Sequence, residues 1–370
     1  MKRTQIEIIE KDLKKKIVFL VGPRQVGKTW LSKEIAKKYK NSLYLNYDNA
    51  KDRDIIKNES WLNSTDLIIF DELHKMKNWK TYIKGVFDTN DDLNILVTGS
   101  ARLDAFRQSG DSMAGRYFIH HLLPFSLSEI HNTFLKDEIN RLIERGGFPE
   151  PFLAENDIDA KRWRKFYING LIREDILDFE NITNLKSINL LFELLRERVA
   201  SNISYSSLAR DLNISATTVK KYINILEALY IIFKVTPYSK NIARSILKEP
   251  KIYFFDTGLV RGDNGVKFEN FVALSLLKFV YHKRDVEGEE FNLNYIRTKD
   301  GKEIDFSISN DNTLLEFIEV KYKKNSIPKN LLYFSKKYDI KGTVLVRELK
   351  REYQSNNIEV RDAINYLNCK

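Results

Sequence analysis

Val21-Gly22-Pro23-Arg24-Gln25-Val26-Gly27-Lys28-Thr29 follows the apolar run Ile17-Val18-Phe19-Leu20 and opens into Trp30-Leu31-Ser32-Lys33-Glu34-Ile35-Ala36, whose spacing is helical. A strand that turns through two glycines into a helix is the local order a phosphate cradle needs. Gly22 and Gly27 let backbone N–H groups turn inward onto phosphate oxygens, and the following helix presents its positive end to them. In this pattern Lys28 neutralises the β- and γ-phosphates and the Thr29 hydroxyl ligates Mg²⁺. The candidate nucleotide-binding residues are Gly22, Pro23, Arg24, Gln25, Val26, Gly27, Lys28, Thr29 and Trp30, with ATP and Mg²⁺ as the expected ligands. The alternative is an ordinary strand-to-helix turn.

Downstream, strand and helix patterns alternate, which predicts a parallel sheet with helices packed on it. Ser42-Leu43-Tyr44-Leu45-Asn46-Tyr47 reads as a second strand, and Leu67-Ile68-Ile69-Phe70 is apolar without alternation, as a strand buried on both faces should be. It ends in Asp71-Glu72. Asp71 is placed to hold Mg²⁺ directly or through water, and Glu72 to polarise the attacking water. A fourth strand, Leu93-Asn94-Ile95-Leu96-Val97, ends in Thr98-Gly99-Ser100, which brings the Thr98 and Ser100 hydroxyls to the same edge as γ-phosphate sensors. Arg116 precedes a fifth strand, Tyr117-Phe118-Ile119-His120, where a guanidinium can stabilise charge on a transferred phosphoryl group of a neighbouring subunit. Arg24, Arg102 and Arg107 are rival cations for that role.

These residues resemble the AAA+ ATPases and, more narrowly, a prokaryotic group with GPRQVGKT, a DE strand end, TGS and a later GR. The resemblance implies Glu72 as the catalytic glutamate and Arg116 as the arginine finger of a homo-oligomer. Thr98 and Ser100 stand where an asparagine is commoner in AAA+ members.

Beyond the core, Asn140 to Arg145 ends in Gly146-Gly147-Phe148-Pro149, a helix stop, and residues 159–197 carry repeated helical spacing. The resemblance makes this region a lid, with Arg173 a candidate phosphate contact. Next, Ile203 to Leu212 and Ala216 to Ile223 flank the turn Asn213-Ile214-Ser215, the grammar of a helix-turn-helix. Its second helix offers Thr217, Thr218, Lys220 and Lys221 outward as candidate DNA contacts, and Ile231 to Val235 with Lys251 to Phe254 would form a β-wing carrying Lys240, Arg244 and Lys248. Winged helices also serve as protein contacts.

In the tail, Glu269 lies near a helix start, and the turn Lys299-Asp300-Gly301-Lys302 leads into Glu303-Ile304-Asp305-Phe306, with Leu315 to Lys321 as the next strand. Glu319 and Lys321 share a strand face beside Asp305, an arrangement suited to phosphodiester cutting, in which Asp305, Glu319 and Glu269 bind Mg²⁺ and Lys321 orients water. The set resembles the PD-(D/E)xK restriction-endonuclease-like fold, although no proline precedes Asp305. An edge hairpin with a surface salt bridge is one other reading, and a tail that keeps the fold without cleavage activity, as the resemblance to the prokaryotic group also implies, is a second.

Composition agrees with a globular chain: 370 residues, 43% hydrophobic and 30% charged, with no apolar run of membrane-spanning length. A net charge of +10 favours polyanions such as nucleic acid, or else reflects a lysine-rich solvated surface. One cysteine, Cys369, excludes a disulfide framework within the chain and fits a cytoplasmic location. The expected fold class is α/β: a three-layer α/β/α P-loop core over 1–130, a helical lid over 131–197, a winged helix over 198–256, and a restriction-endonuclease-like α/β domain over 257–370. The leading functional expectation is an ATP-hydrolysing switch acting with DNA. The alternatives are an ATP-gated DNA nuclease and a non-catalytic, nucleotide-dependent binding module.

Overall fold

The structure, a computed structural model, describes residues 3–99, 113–130, 135–176, 184–239, 249–298, 300–323 and 326–368. The chain divides into two units, one of residues 1–124 with 228–230, the other of residues 125–227 with 231–370. Residues 131–197 and 257–370, and residues 198–256 except 228–230, lie in the second unit.

In the first unit, β1 (Ile17–Val21), β2 (Ser42–Asn46), β3 (Leu67–Asp71), β4 (Asn94–Thr98) and β5 (Tyr117–His121) form a parallel sheet in the order β2-β3-β4-β1-β5. All of β1 and β3 is buried, which explains their unbroken apolar sequences. On one face, Ile17, Phe19, Ile68, Phe70, Ile95 and Val97 pack with Ile56 of α3 (Ala50–Asn58) and with Ile83 and Val86 of α4 (Trp79–Thr89). Helices α1 (Ile6–Leu13) and α2 (Lys28–Ala36) bury Ile9, Leu13, Leu31 and Ile35 and lie against β1 and β4. Because β1 is flanked by β4 and β5, the loop at its carboxyl end opens beside the ends of β3 and β4.

The second unit begins with helices α5 (Leu135–Arg145), α6 (Pro149–Leu153), α7 (Asp157–Gly170) and α8 (Leu185–Glu197), then the pair α9 (Tyr205–Leu212) and α10 (Ala216–Ala228) separated by three residues. Strands β6 (Ile232–Pro237), β7 (Lys251–Phe254), β8 (Phe291–Arg297), β9 (Glu303–Asn310), β10 (Thr313–Lys323), β11 (Lys341–Glu348), β12 (Tyr353–Ser355) and β13 (Ile358–Asp362) build a mixed sheet in the order β12-β13-β11-β10-β9-β8-β6-β7. Helix α11 (Asn264–Glu287) packs on β7, β8 and β10, while α12 (Lys329–Tyr338) packs Leu331 and Phe334 against Ile304, Phe317, Val344 and Val346.

One expectation is corrected by this topology. Strands β6 and β7 pair antiparallel as a wing hairpin would, but β6 also pairs in parallel with β8, so both belong to the tail's sheet. The physical reason is burial: every residue of β7 is covered, whereas a wing exposes one face. The expected wing cations Lys240, Arg244 and Lys248 lie outside the described residues.

A buried ion pair ties the helices of this unit to the segment before α11. Arg164 of α7 donates from Nε to Asp256 Oδ2 at 2.8 Å and from Nη2 to Arg145 O at 2.9 Å, with Asp256 1% exposed. Space around it is filled, since a Cβ added at Gly146 would lie 1.9 Å from Asp256 Oδ1 and one at Gly258 2.0 Å from Arg164 Nη2. Arg164→Ala strands a buried carboxylate, so chemical denaturation should show a loss of about 3–5 kcal/mol. No described helix is long and apolar enough to cross a membrane.

Candidate functional site

The loop after β1 takes the backbone shape its glycines permit. Gly22 has φ 143° and Gly27 φ 100°, and a Cβ at Gly22 would meet Leu122 O at 2.2 Å, so a side chain fits neither the conformation nor the space. Lys28, the first residue of α2, folds back over the loop and donates from Nζ to Gly22 O at 2.9 Å and Pro23 O at 2.6 Å. Burial lowers its pKa to about 8, against the opposing pull of Glu72 and Asp71 and with a further lowering from Arg24. An ammonium so placed gains from any phosphate that replaces the lost solvent.

At the end of β3 the buried Asp71 carboxylate collects three hydroxyls. Thr98 donates to Oδ1 at 2.6 Å, and Oδ2 accepts from Thr29 at 3.2 Å and from Tyr44 at 2.5 Å. Two oxygen donors from the loop and the acidic strand end, Thr29 and Asp71, suit a hard cation such as Mg²⁺. Glu72 follows with φ 57°, and its N–H donates to Thr98 O at 3.0 Å. Glu72 Oε2 is buried without a hydrogen-bond partner, with Lys75 Nζ 3.4 Å and His74 Nε2 3.6 Å away. Burial, reinforced by Asp71 and opposed by Lys75 and Lys28, raises its pKa.

Other expected members of this site stand apart from the loop or have different partners. Thr98 spends its hydroxyl on Asp71, and Ser100 lies outside the described residues, as do Arg102 and Arg107. Arg116 sits at the amino end of β5, where its carbonyl accepts from Ile17 N, whereas the loop leaves the carboxyl end of β1. The length of the strand puts roughly 15 Å between them. Arg116 there pairs with Asp88 at 2.8 Å. Val26 is fully buried, Gln25 is exposed with φ 58°, and Trp30 is 49% exposed on α2.

Two residues escaped the sequence reading. Tyr44 is the second-strand residue that reaches Asp71, and Arg3, only 2% exposed, donates to Val26 O and to Leu123 O at 2.9 Å, bracing the loop from behind. The only signal in the sequence was a tyrosine at the carboxyl half of a strand and an arginine near the amino terminus.

In the second unit the four tail residues do converge. Asp305 Oδ2 accepts from Val320 N at 2.9 Å, Lys321 Nζ donates to Glu319 Oε1 at 2.9 Å, and Glu269 Oε1 accepts from the Tyr253 hydroxyl at 2.8 Å. Burial, then the neighbouring Asp305, raises the pKa of both Glu269 and Glu319. On α10, Thr217, Lys220 and Lys221 are exposed, while Thr218 is bound to the helix cap, its N–H donating to Ser215 Oγ at 3.0 Å. Arg173 is exposed on the turn after α7.

Residues 14–131 match an AAA domain, and residues 136–267 and 264–367 match two domains of unknown function. An uncharacterized protein of Methanocaldococcus jannaschii is 27% identical over 367 residues, which cover 87% of this chain and 79% of that protein. One from Mycobacterium tuberculosis is 27% identical over 247 residues, 66% of this chain and 55% of that protein. Among solved structures, a Walker-type ATPase of Pyrococcus abyssi aligns over 70% of this chain and 94% of its own at 14% identity, with a TM-score of 0.45. The AAA domain implies nucleotide binding.

If Lys28 meets the phosphates, that binding carries a pH signature. With its pKa lowered to about 8 by burial, Lys28 would be deprotonated above that value, and a phosphate paired with it would raise the pKa, so that the proton must be regained on binding. Nucleotide affinity is therefore expected to hold below that value and to fall by up to about tenfold per pH unit above it, a slope that Lys28→Met should abolish in equilibrium titrations.

Proposed function

We propose that the chain is an Mg²⁺-dependent ATPase whose nucleotide state drives a conformational switch, and that it acts with DNA. The observation that carries the hydrolytic reading is the grip of three hydroxyls on Asp71, one of them from the loop threonine. Lys28 would draw charge from the β- and γ-phosphates while Thr29 and Asp71 hold the cation. Bound Mg²⁺ would neutralise charge on the phosphate oxygens. Glu72 accepts a proton from water as its oxygen bonds to the γ-phosphorus and the bond to the β–γ bridging oxygen breaks, giving ADP and phosphate. Arg116, remote from its own loop, would serve the nucleotide of a neighbouring subunit.

Phosphate release is expected to need Mg²⁺ and to vanish in Lys28→Ala. Glu72→Gln should keep nucleotide binding and lose about a hundredfold or more in turnover, the worth of a positioned base. Unchanged turnover in Glu72→Gln would end the assignment. Mixing Arg116→Ala with Lys28→Ala chains should recover part of the activity each lacks alone, because one supplies an intact loop and the other an intact finger.

The DNA reading rests on the exposed Thr217, Lys220 and Lys221 of α10, which follows α9 after a three-residue turn, together with the basic net charge. If Lys220 and Lys221 contact phosphates, replacing both by alanine lowers the slope of log affinity against log salt by about 2, equally for unrelated DNA sequences. An unaltered slope assigns this face to a protein partner.

A further inference from the structure

The acidic cluster of the tail contains a cation of its own. Lys251, the first residue of β7, is 2% exposed, and its Nζ lies 2.7 Å from Glu303 Oε1, 3.8 Å from Asp305 Oδ1 and 3.9 Å from Glu269 Oε1. The ammonium also sits 5.6 Å from the centroid of the Tyr295 ring. Its carrier strand pairs through β6 with the tail's sheet, the same topology that replaces a free wing.

The carboxylates that the restriction-endonuclease-like resemblance assigns to Mg²⁺ are Glu269, Asp305 and Glu319, and the first two face this ammonium. A divalent ion needs carboxylate oxygens at about 2.0–2.1 Å and would be driven into a buried positive charge held among the same oxygens. Among the described residues, no three acidic, histidine or cysteine groups are placed to share one metal ion. The residues present therefore do not fit the metal.

We propose that the Lys251 ammonium is the resident cation of this cluster, standing where the fold resemblance puts a divalent metal, so that the tail takes up no divalent metal and performs no metal-assisted phosphodiester cleavage. The Glu303 carboxylate pairs with this ammonium directly, and Asp305 and Glu269 stand behind it. Lys321 supplies a second positive charge against Glu319. Glu319 keeps one oxygen, Oε2, buried and without a hydrogen-bond partner, and it is the ligand a metal would recruit once Lys251 is removed.

The test is an Mn²⁺ titration of the full chain without nucleotide, followed by electron paramagnetic resonance. Wild type and Asp305→Asn, which retains an acceptor for Val320 N, should bind Mn²⁺ alike. Lys251→Met, or Lys251→Gln, should gain one saturable site that weakens about tenfold or more when Asp305→Asn is added. A wild-type site lost in Asp305→Asn overturns the proposal, and so does a folded Lys251 variant, judged by circular dichroism, that gains no site. Should both Lys251 variants fail to fold, equal binding by wild type and Asp305→Asn supports the proposal and weaker binding by Asp305→Asn overturns it. The P-loop residues are the same in every variant, so the ATPase reading stands or falls separately.

Discussion

A single buried carboxylate, that of Asp71, organises the first unit around its loop. It binds hydroxyls from three places: Thr29 at the start of α2, Tyr44 on β2 and Thr98 on β4. Each contact spans a different junction of the parallel sheet, so the loop, the acidic strand end and the neighbouring strand tips share one register. An anionic oxygen accepting several short hydrogen bonds in a dry setting is stronger than the same bonds in water, and it is expensive to leave incomplete. The arrangement also leaves Glu72 next in line, with its backbone turned by a positive φ and its N–H fixed to the Thr98 carbonyl.

Among the described residues, the buried lysines and arginines are matched by partners rather than avoided. Lys28 is held by loop carbonyls, Arg3 by the carbonyls of Val26 and Leu123, Arg164 by Asp256, and Lys251 by three carboxylates. These four cations differ in what they leave available. Arg164 is a closed structural pair, and Arg3 acts on backbone alone. Lys28 combines a lowered pKa with main-chain partners alone. Lys251 is enclosed by Glu303, Asp305 and Glu269.

The first unit was largely legible because its signals are local. Glycine spacing, an apolar strand and a helix start occupy neighbouring positions, and the strands expected at Ile17, Ser42, Leu67, Leu93 and Tyr117 lie within a residue of those observed. Tyr44 and Arg3 were invisible because their partners are Asp71 and Val26, far along the chain, and neither residue type announces such a contact. Likewise the tail's Asp305, Glu319 and Lys321 could be read from strand alternation and Glu269 from its helix start, whereas the cation among them comes from β7, outside the expected tail.

By itself, then, the sequence determined the glycine-bracketed loop after β1, the buried strand ending at Asp71 and the α/β alternation, because each is set by residues a few positions apart. Tertiary structure decided that Arg116 and the loop occupy opposite ends of adjacent strands, since parallel pairing of β1 with β5 separates them by a strand's length. It also decided that β6 and β7 join the tail's sheet and deliver Lys251 to its acids, because a fully buried strand needs a partner on each covered face, and that partner is distant in sequence.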